Sequence, residues 1–420
     1  MDGNRGEVDA DDGQCLQRSQ TAARPRRSPV GVRFVTLLSA ELDEFQRTLR
    51  DFCERELRPL VDRAEAEGRF PRTEVLPAMA ALGWFRIGVP ETAGGVGGSS
   101  RMHCLIGEEV ARVCGGFAAS VLPAVLGPAI LMRLGTPQQQ ARLLEPMMRG
   151  ERLGAIALTE PGAGSDLVSL RTTARRDGDA YVLDGSKTFI TNGAVADSVI
   201  VAAVLSEIAG RKGWVRAAGI NLFLVDRSTP GFSVARQLSK LGMRSSDTAE
   251  LVLDACRVPL DNRLGGESAN FLRLLDVLDR TRLYIAAVSV GVAQAAFEAA
   301  CAYAKVRVAF GKPIGQHQAV AFRLAQMAVD LDAARLLIHR AADAYDLNVP
   351  ATKEVSMAKL FASEAAIRIT GDALQIHGGY GYTTEFALER YFRDAKVGTL
   401  WEGTSELQHI IIARELGFAV

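Results

Sequence analysis

One carboxylate of this chain has a setting that suits proton abstraction. In the stretch Gly398-Thr399-Leu400-Trp401-Glu402-Gly403-Thr404-Ser405-Glu406, Glu402 stands between a large aromatic and a Gly-Thr-Ser turn. Gly403 can adopt backbone angles that other residues avoid. Thr404 or Ser405 can cap a helix opening at Glu406-Leu407-Gln408-His409-Ile410-Ile411. A carboxylate held against an apolar ring loses water, so its pKa rises from about 4.3 towards neutrality, which is the range of a general base. The same residues also read as a solvated loop, and the local sequence leaves both readings open.

Three further segments carry chemistry. Ala157-Leu158-Thr159-Glu160-Pro161-Gly162-Ala163-Gly164-Ser165-Asp166 leaves a strand into a glycine-rich turn. Its backbone N–H groups can approach a phosphate or a ring edge, and Thr159 and Ser165 add hydroxyls; a plain tight turn is the other reading. In Lys187-Thr188-Phe189-Ile190-Thr191-Asn192-Gly193, Phe189 can lie on a flat cofactor and Thr191 can donate to it, or Phe189 is a core residue of a strand ending at an Asn-Gly turn. Arg307, Phe310, Gly311, Lys312, His317 and Gln318 form a basic, hydrogen-bonding loop that suits a pyrophosphate or simply connects two helices. Asp279 and Arg282 sit one helical turn apart, the spacing of a surface ion pair. Neither the Ala157 to Asp166 turn nor the glycine-rich loop Pro90 to Gly98 is a dinucleotide fingerprint: Leu167 and Ser100, respectively, stand where the last glycine belongs.

The elements that must position these residues fall into three blocks. Residues 1–37 are polar, acidic at Asp9 to Gly13 and basic at Arg24 to Pro29, and read as a disordered leader. Over 38–152 the apolar spacing is helical: Leu42, Phe45, Leu49, Phe52 and Leu57 share a face behind Ser39 as cap, and helices follow over 73–82, 102–113, 118–134 and 137–148. Over 153–263 short apolar runs at 153–158, 180–183, 199–205, 220–225 and 251–253 alternate with Asp-Gly, Asn-Gly and Pro-Gly turns, the pattern of a β-sandwich or barrel. Over 264–420 four helices, at 272–307, 320–346, 354–376 and from 406, predict a bundle. Gly291 and the alanines of the first allow a neighbour to approach closely. The fold class is α+β.

Bulk properties narrow the function. The 420 residues carry 49 Lys+Arg against 49 Asp+Glu. This balance gives no general reason to expect nucleic acid or an anionic membrane as partner. The six cysteines make no CxxC pair, and the five histidines make no HExxH motif, so no metal site is expected. No signal-peptide core is read at the N-terminus and no apolar run is read as spanning a bilayer, so the expected location is the cytoplasm, with buried free thiols.

Taken in order, these motifs resemble the acyl-CoA dehydrogenases, FAD-dependent flavoproteins. The resemblance is carried by Ala157 to Asp166, Phe189 to Gly193, Arg307-x-x-Phe310-Gly311 with His317-Gln318, Gln375-Ile376-His377-Gly378-Gly379, and Glu402 to Ser405. It covers residue 38 onward except the segment around 207–217. It implies an N-terminal helical domain, a middle β domain and a C-terminal four-helix bundle. It implies that Ile156, Leu158, Thr159, Gly164 and Ser165, with Phe189, Ile190 and Thr191, bind the flavin; Phe189 stands where the family often has Trp. Arg307, Phe310, His317, Gln318, Gln375, Gly378 and Gly379 would reach the FAD of a neighbouring subunit in a homodimer or homotetramer, and Thr404 and Glu406 would also contact FAD. Ser165, Asp279, Arg282, Trp401, Gly403 and Arg414 would hold the substrate.

The resemblance further implies a reaction. Glu402 takes the α-proton of an acyl thioester while the β-hydride goes to the flavin, leaving a trans-2-enoyl thioester, with electron-transfer flavoprotein as acceptor. Some branches of the family carry the base at the position of Thr281, which a threonine cannot serve. Trp401, with Leu122, is expected to favour short or branched acyl groups. An acyl-carrier-protein thioester of secondary metabolism is the alternative substrate. An oxidase or monooxygenase on the same fold, and a non-catalytic flavin-binding protein, are the rival classes.

Overall fold

The computed structural model describes residues 39–266 and 271–419; the expected leader lies outside the described residues. Ser39 caps α1 (Ala40–Phe52) by accepting Leu42 N at 3.3 Å, and Leu49 and Phe52 turn inward. Helices α2 (Val61–Glu67), α3 (Arg72–Ala81), α4 (Ser100–Val113), α5 (Gly115–Leu134) and α6 (Pro137–Met148) follow. α6 opens on a reciprocal cap in which Thr136 Oγ1 accepts Gln139 N and Gln139 Oε1 accepts Thr136 N.

A mixed sheet comes next: β1 (Gly154–Ala157), β2 (Thr173–Asp177), β3 (Ala180–Thr191), β4 (Ser198–Leu205), β5 (Ile220–Asp226), β6 (Phe232–Gln237) and β7 (Thr248–Pro259). Its order is β1-β4-β2-β3-β7-β6, with β5 paired to β4, and a short helix α7 (Gly213–Ala218) precedes β5. β1 and β2 run parallel to β4, and the other pairs are antiparallel. The sheet curls so that Ala155, Leu183, Val201, Phe223, Leu251 and Val258 share one core. Strands β2 and β6 are additions to the sequence reading. β2 reads Thr-Ala-Arg-Arg-Asp with a single buried side chain, and β6 is an edge strand with none fully buried.

The last block holds α8 (Phe271–Val306), a hairpin of β8 (Val308–Ala309) and β9 (Lys312–Pro313), α9 (Gln318–Asp346), α10 (Thr352–His377), α11 (Leu388–Lys396) and α12 (Ser405–Glu415). α8 passes so close to α4 at Gly291 that a Cβ there would lie 2.1 Å from Glu108 O. A buried ion pair ties the same region together: Arg335 of α9 donates to Glu108 Oε1 of α4 at 2.7 Å and to Gln294 of α8 at 2.7 Å.

α5 and residues Arg273–Val306 of α8 are long and apolar enough to cross a membrane, contrary to the reading that no run reached that length. In this fold 78% of each apolar stretch is buried, because neighbouring helices pack around both. Cys53, Cys104, Cys114 and Cys256 are buried free thiols; Cys301 is partly exposed.

Candidate active site

The turn between α11 and α12 presents Glu402. Its backbone sits at φ +52°, a left-handed conformation that side chains disfavour, and Gly403 follows at φ +92°. A side chain at Gly403 would also collide with Gln408, whose Nε2 would lie 2.7 Å from the new Cβ. Thr404 caps α12 by accepting Leu407 N at 3.3 Å, whereas Ser405 turns away to donate to Glu364 Oε1 at 2.6 Å.

Three helices hold this strained turn. From α8, Arg282 Nε donates to Glu402 O at 2.9 Å, and its Nη1 donates to Asp279 Oδ1 at 2.8 Å. Thr352 at the start of α10 donates to the other oxygen of Asp279 at 2.8 Å. From α10, Lys359 Nζ donates to Gly403 O at 2.6 Å, and from α12, Gln408 Nε2 donates to the same oxygen at 3.0 Å. Asp279 and Arg282 thus form the pair their spacing suggests, but a buried one that steadies the Glu402 turn.

Thr281 Oγ1 lies 2.6 Å from Glu402 Oε2 and 3.1 Å from Leu278 O. One hydroxyl hydrogen serves both. An ionised Glu402 accepts it; a protonated Glu402 can donate to the hydroxyl, which then turns its hydrogen to Leu278 O. Burial raises the Glu402 pKa, while the Thr281 hydroxyl and the Arg282 and Lys359 cations pull it back. Trp401, next to Glu402 in the chain, is half-buried, and its Nε1 is enclosed without a hydrogen-bond partner. Arg414 is exposed in the last turn of α12, about 14 Å of helix rise from its start. Glu406 is exposed in the first turn of α12.

A second group is built on β1, β3 and the glycine-rich turn. Lys187, fully buried on β3, donates to Leu158 O at 3.0 Å and to Glu160 Oε1 at 2.7 Å. Glu160 also accepts Arg171 N, Thr172 N and the Thr172 hydroxyl, so the turn is fixed from inside. The turn is joined to β3 by Thr188 N donating to Thr159 O at 2.9 Å. Between Lys187 and Ile190, β3 bulges against β7; Phe189 takes φ +60° and leaves 68% of its surface exposed, while Ile190 stays buried. Ile156, Leu158, Thr159 and Thr191 are half-buried, and Gly164 and Ser165 are exposed. An apolar ring held outward in a strained conformation, beside a turn whose Gly162 and Gly164 face open space, fits a flat heterocycle.

The third group surrounds the β8–β9 hairpin and the end of α10. Arg307, Gly378 and Gly379 line a cavity of about 450 Å³ together with Tyr303, His377 and Tyr380. The Tyr303 and His377 rings stack at 4.3 Å, and the Arg307 guanidinium lies 5.9 Å from the Tyr380 ring centre. Phe310, at φ +51°, is 96% exposed; His317 bonds Ala309 O at 3.1 Å, and Gln318 and Gln375 are exposed. No Cβ at Gly311, Gly378 or Gly379 would meet an atom of this chain within 4 Å, which leaves room for a ligand or second subunit.

Sequence reasoning missed Lys359, Gln408, Lys187, Tyr303 and Tyr380 as parts of these sites. Thr281 it weighed only as a failed base. Among the described residues no cluster of three or more His, Cys, Asp or Glu could hold a metal ion.

Comparison with known proteins matches this architecture throughout. Residues 39–151, 155–256 and 271–417 match, in order, the N-terminal, middle and C-terminal domains of acyl-CoA dehydrogenase. The chain belongs to the acyl-CoA dehydrogenase family. It is an oxidoreductase acting on CH–CH bonds. It is 40% identical over 407 residues to the mitochondrial short-chain specific acyl-CoA dehydrogenase of Mus musculus, covering 94% of this chain and 97% of that protein. It is 41% identical over 372 residues to the caffeyl-CoA reductase-Etf complex subunit CarC of Acetobacterium woodii, covering 88% and 96%. The butyryl-CoA dehydrogenase structure from Megasphaera elsdenii superposes with a TM-score of 0.85 at 36% identity, covering 91% of this chain and all of that one.

Proposed function

We propose that the protein is an FAD-dependent dehydrogenase of short or branched acyl-CoA thioesters, forming the trans-2-enoyl thioester. The observation that carries this reading is Glu402, a desolvated carboxylate locked in a strained turn with Thr281 on its oxygen. The FAD would be held by the glycine-rich turn, Phe189 and Thr191, and supplies the hydride acceptor. The work left to the chain is proton transfer. Glu402 removes the α-proton, and Thr281 accommodates its ionised and its protonated form. Arg282 and Lys359 keep the turn from moving as the charge on the carboxylate is lost. Trp401 excludes water at the base, which strengthens every electrostatic interaction there.

Coenzyme A as the carrier is supported by a basic groove of about 760 Å³ beside Asp166 and Ser169, next in the chain to Ser165. Arg171, Arg211 and Lys212 line it and form no ion pair among the described residues. Arg216 shapes it by donating to Val168 O at 2.8 Å, Leu170 O at 2.6 Å and Ala209 O. Three free cations at one mouth suit phosphate groups. The kinship with an Etf-complex subunit supports electron-transfer flavoprotein as acceptor, and the open glycines of the hairpin region support a homo-oligomer.

The test is anaerobic mixing of the purified yellow protein with a series of acyl-CoA thioesters, with Glu402→Gln as control. Loss of flavin absorbance with short or branched acyl-CoA, absent in the variant, is the expected result. Bleaching only by carrier-protein thioesters would overturn the choice of carrier. Bleaching by none would overturn the dehydrogenase reading.

A further inference from the structure

Lys359 is a full-length ammonium side chain inside the helical core, with none of its surface exposed. It forms no ion pair among the described residues. Its hydrogen bond goes to Gly403 O at 2.6 Å, the carbonyl immediately following the base. Burying an ammonium without a bonded carboxylate is costly, and an apolar side chain of that length would fill the space more cheaply. Packing therefore does not account for a lysine here.

The surroundings show what it faces. Glu402 is its foremost favourable charge, with Glu364 of its own helix and Glu406 of α12 behind it, and Arg282 of α8 opposes it. The coupling is reciprocal, since Lys359 is among the groups that lower the Glu402 pKa. The two carbonyls of the strained pair are each taken by a cation, Glu402 O by Arg282 and Gly403 O by Lys359. Arg282 arrives from α8 and Lys359 from α10, so the turn is gripped from two sides.

We infer that Lys359 is a positioning residue for the base: its ammonium fixes the Glu402–Gly403 turn through the Gly403 carbonyl and favours the ionised carboxylate. This rests on Glu402 being the base. Burial brings the lysine down to about 8, so its proton is held less firmly than an exposed lysine's and depends on the charges around it.

Two variants separate its two contributions. Lys359→Gln keeps an N–H donor for Gly403 O and removes the charge; Lys359→Met removes both. In the holoenzyme, Lys359→Met is expected to slow flavin reduction about tenfold to a hundredfold, with KM within about twofold of the parent. Lys359→Gln recovers much of that rate. In both variants the Glu402 carboxyl, followed by infrared difference titration against Glu402→Gln, shifts to higher pH. Melting curves confirm that each is folded. Parent-like rate constants and an unmoved Glu402 titration in both variants would overturn the inference. If no thioester reduces the parent's flavin, the dehydrogenase reading fails, and the carboxyl titration by itself still decides the part of Lys359.

Discussion

The hydroxyl of Thr281 lies 2.6 Å from Oε2 of Glu402, and the two residues are 121 positions apart in the chain. On the proposed reading a threonine here is no substitute base but the partner of one. Its hydroxyl is also within reach of Leu278 O, so it has somewhere to turn when the base is protonated.

Thr281→Val tests this partnership while nearly preserving shape. A hydrogen bond to a charged group outweighs one to a neutral group, so its loss disfavours ionised Glu402. The acid limb of kcat/KM is expected to move up by about one pH unit, with kcat lowered at neutral pH. Stopped-flow flavin reduction across pH measures both. An unmoved limb would show that Thr281 does not touch the working base.

Lys187 and Glu160 make a second prediction, on stability. The pair is buried, and Glu160 accepts from four groups in all, so Lys187→Met leaves a carboxylate short of its counter-charge. The expected cost is about 3–5 kcal/mol. The double variant Lys187→Met/Glu160→Gln is expected to recover part of it in denaturant melts, because no net charge then remains buried.

Asp394 of α11 predicts a pH dependence. It is buried, it accepts Met243 N at 2.5 Å, and its Oδ2 has no hydrogen-bond partner. Burial pushes its pKa up from 3.8 to about 7. Between these values the folded chain binds a proton that the unfolded chain releases, so stability falls as pH rises through this window and levels off above about 7. Asp394→Asn removes that dependence. Its melting temperature should gain on the parent's from pH 4 to 7 and hold the gain beyond.

The groove cations give a fourth. Arg211→Ala with Lys212→Ala should raise KM for an acyl-CoA by about tenfold and leave KM for the matching acyl-pantetheine unchanged. The difference should shrink in high salt, because exposed charges are screened. Equal effects on both thioesters would remove the groove from substrate binding.

The residues proposed to bind and react were more legible in the sequence than those that steady them. Glu402, Phe189 and Arg307 stand in short, unusual strings of Gly, Thr and aromatic residues. Lys359 stands in an ordinary helical pattern, and its partner is 44 positions away, so no local signal marks it. α11 was missed because Leu-Glu-Arg-Tyr-Phe-Arg-Asp-Ala-Lys is mostly charged, although Leu388, Tyr391, Asp394 and Ala395 face inward. β7 was read as three residues and runs from Thr248 to Pro259, because its outer face is polar. The bulge that turns Phe189 outward depends on register against β7, which appears only once the strands pair.

The grip on the Glu402 turn has a kinetic meaning for the folding chain. The bond from Gln408 of α12 is local, but those from α8 and α10 come from 44 to 121 positions away, and no local segment can make them. A partly assembled chain can hold its helices and still leave the Glu402 turn undefined. Slight loosening of the bundle would return Glu402 to water before any helix melts. On the proposed reading, catalytic competence is expected to be gained late on folding and lost early under denaturant, so residual activity should report on the integrity of the bundle more sensitively than helix content does.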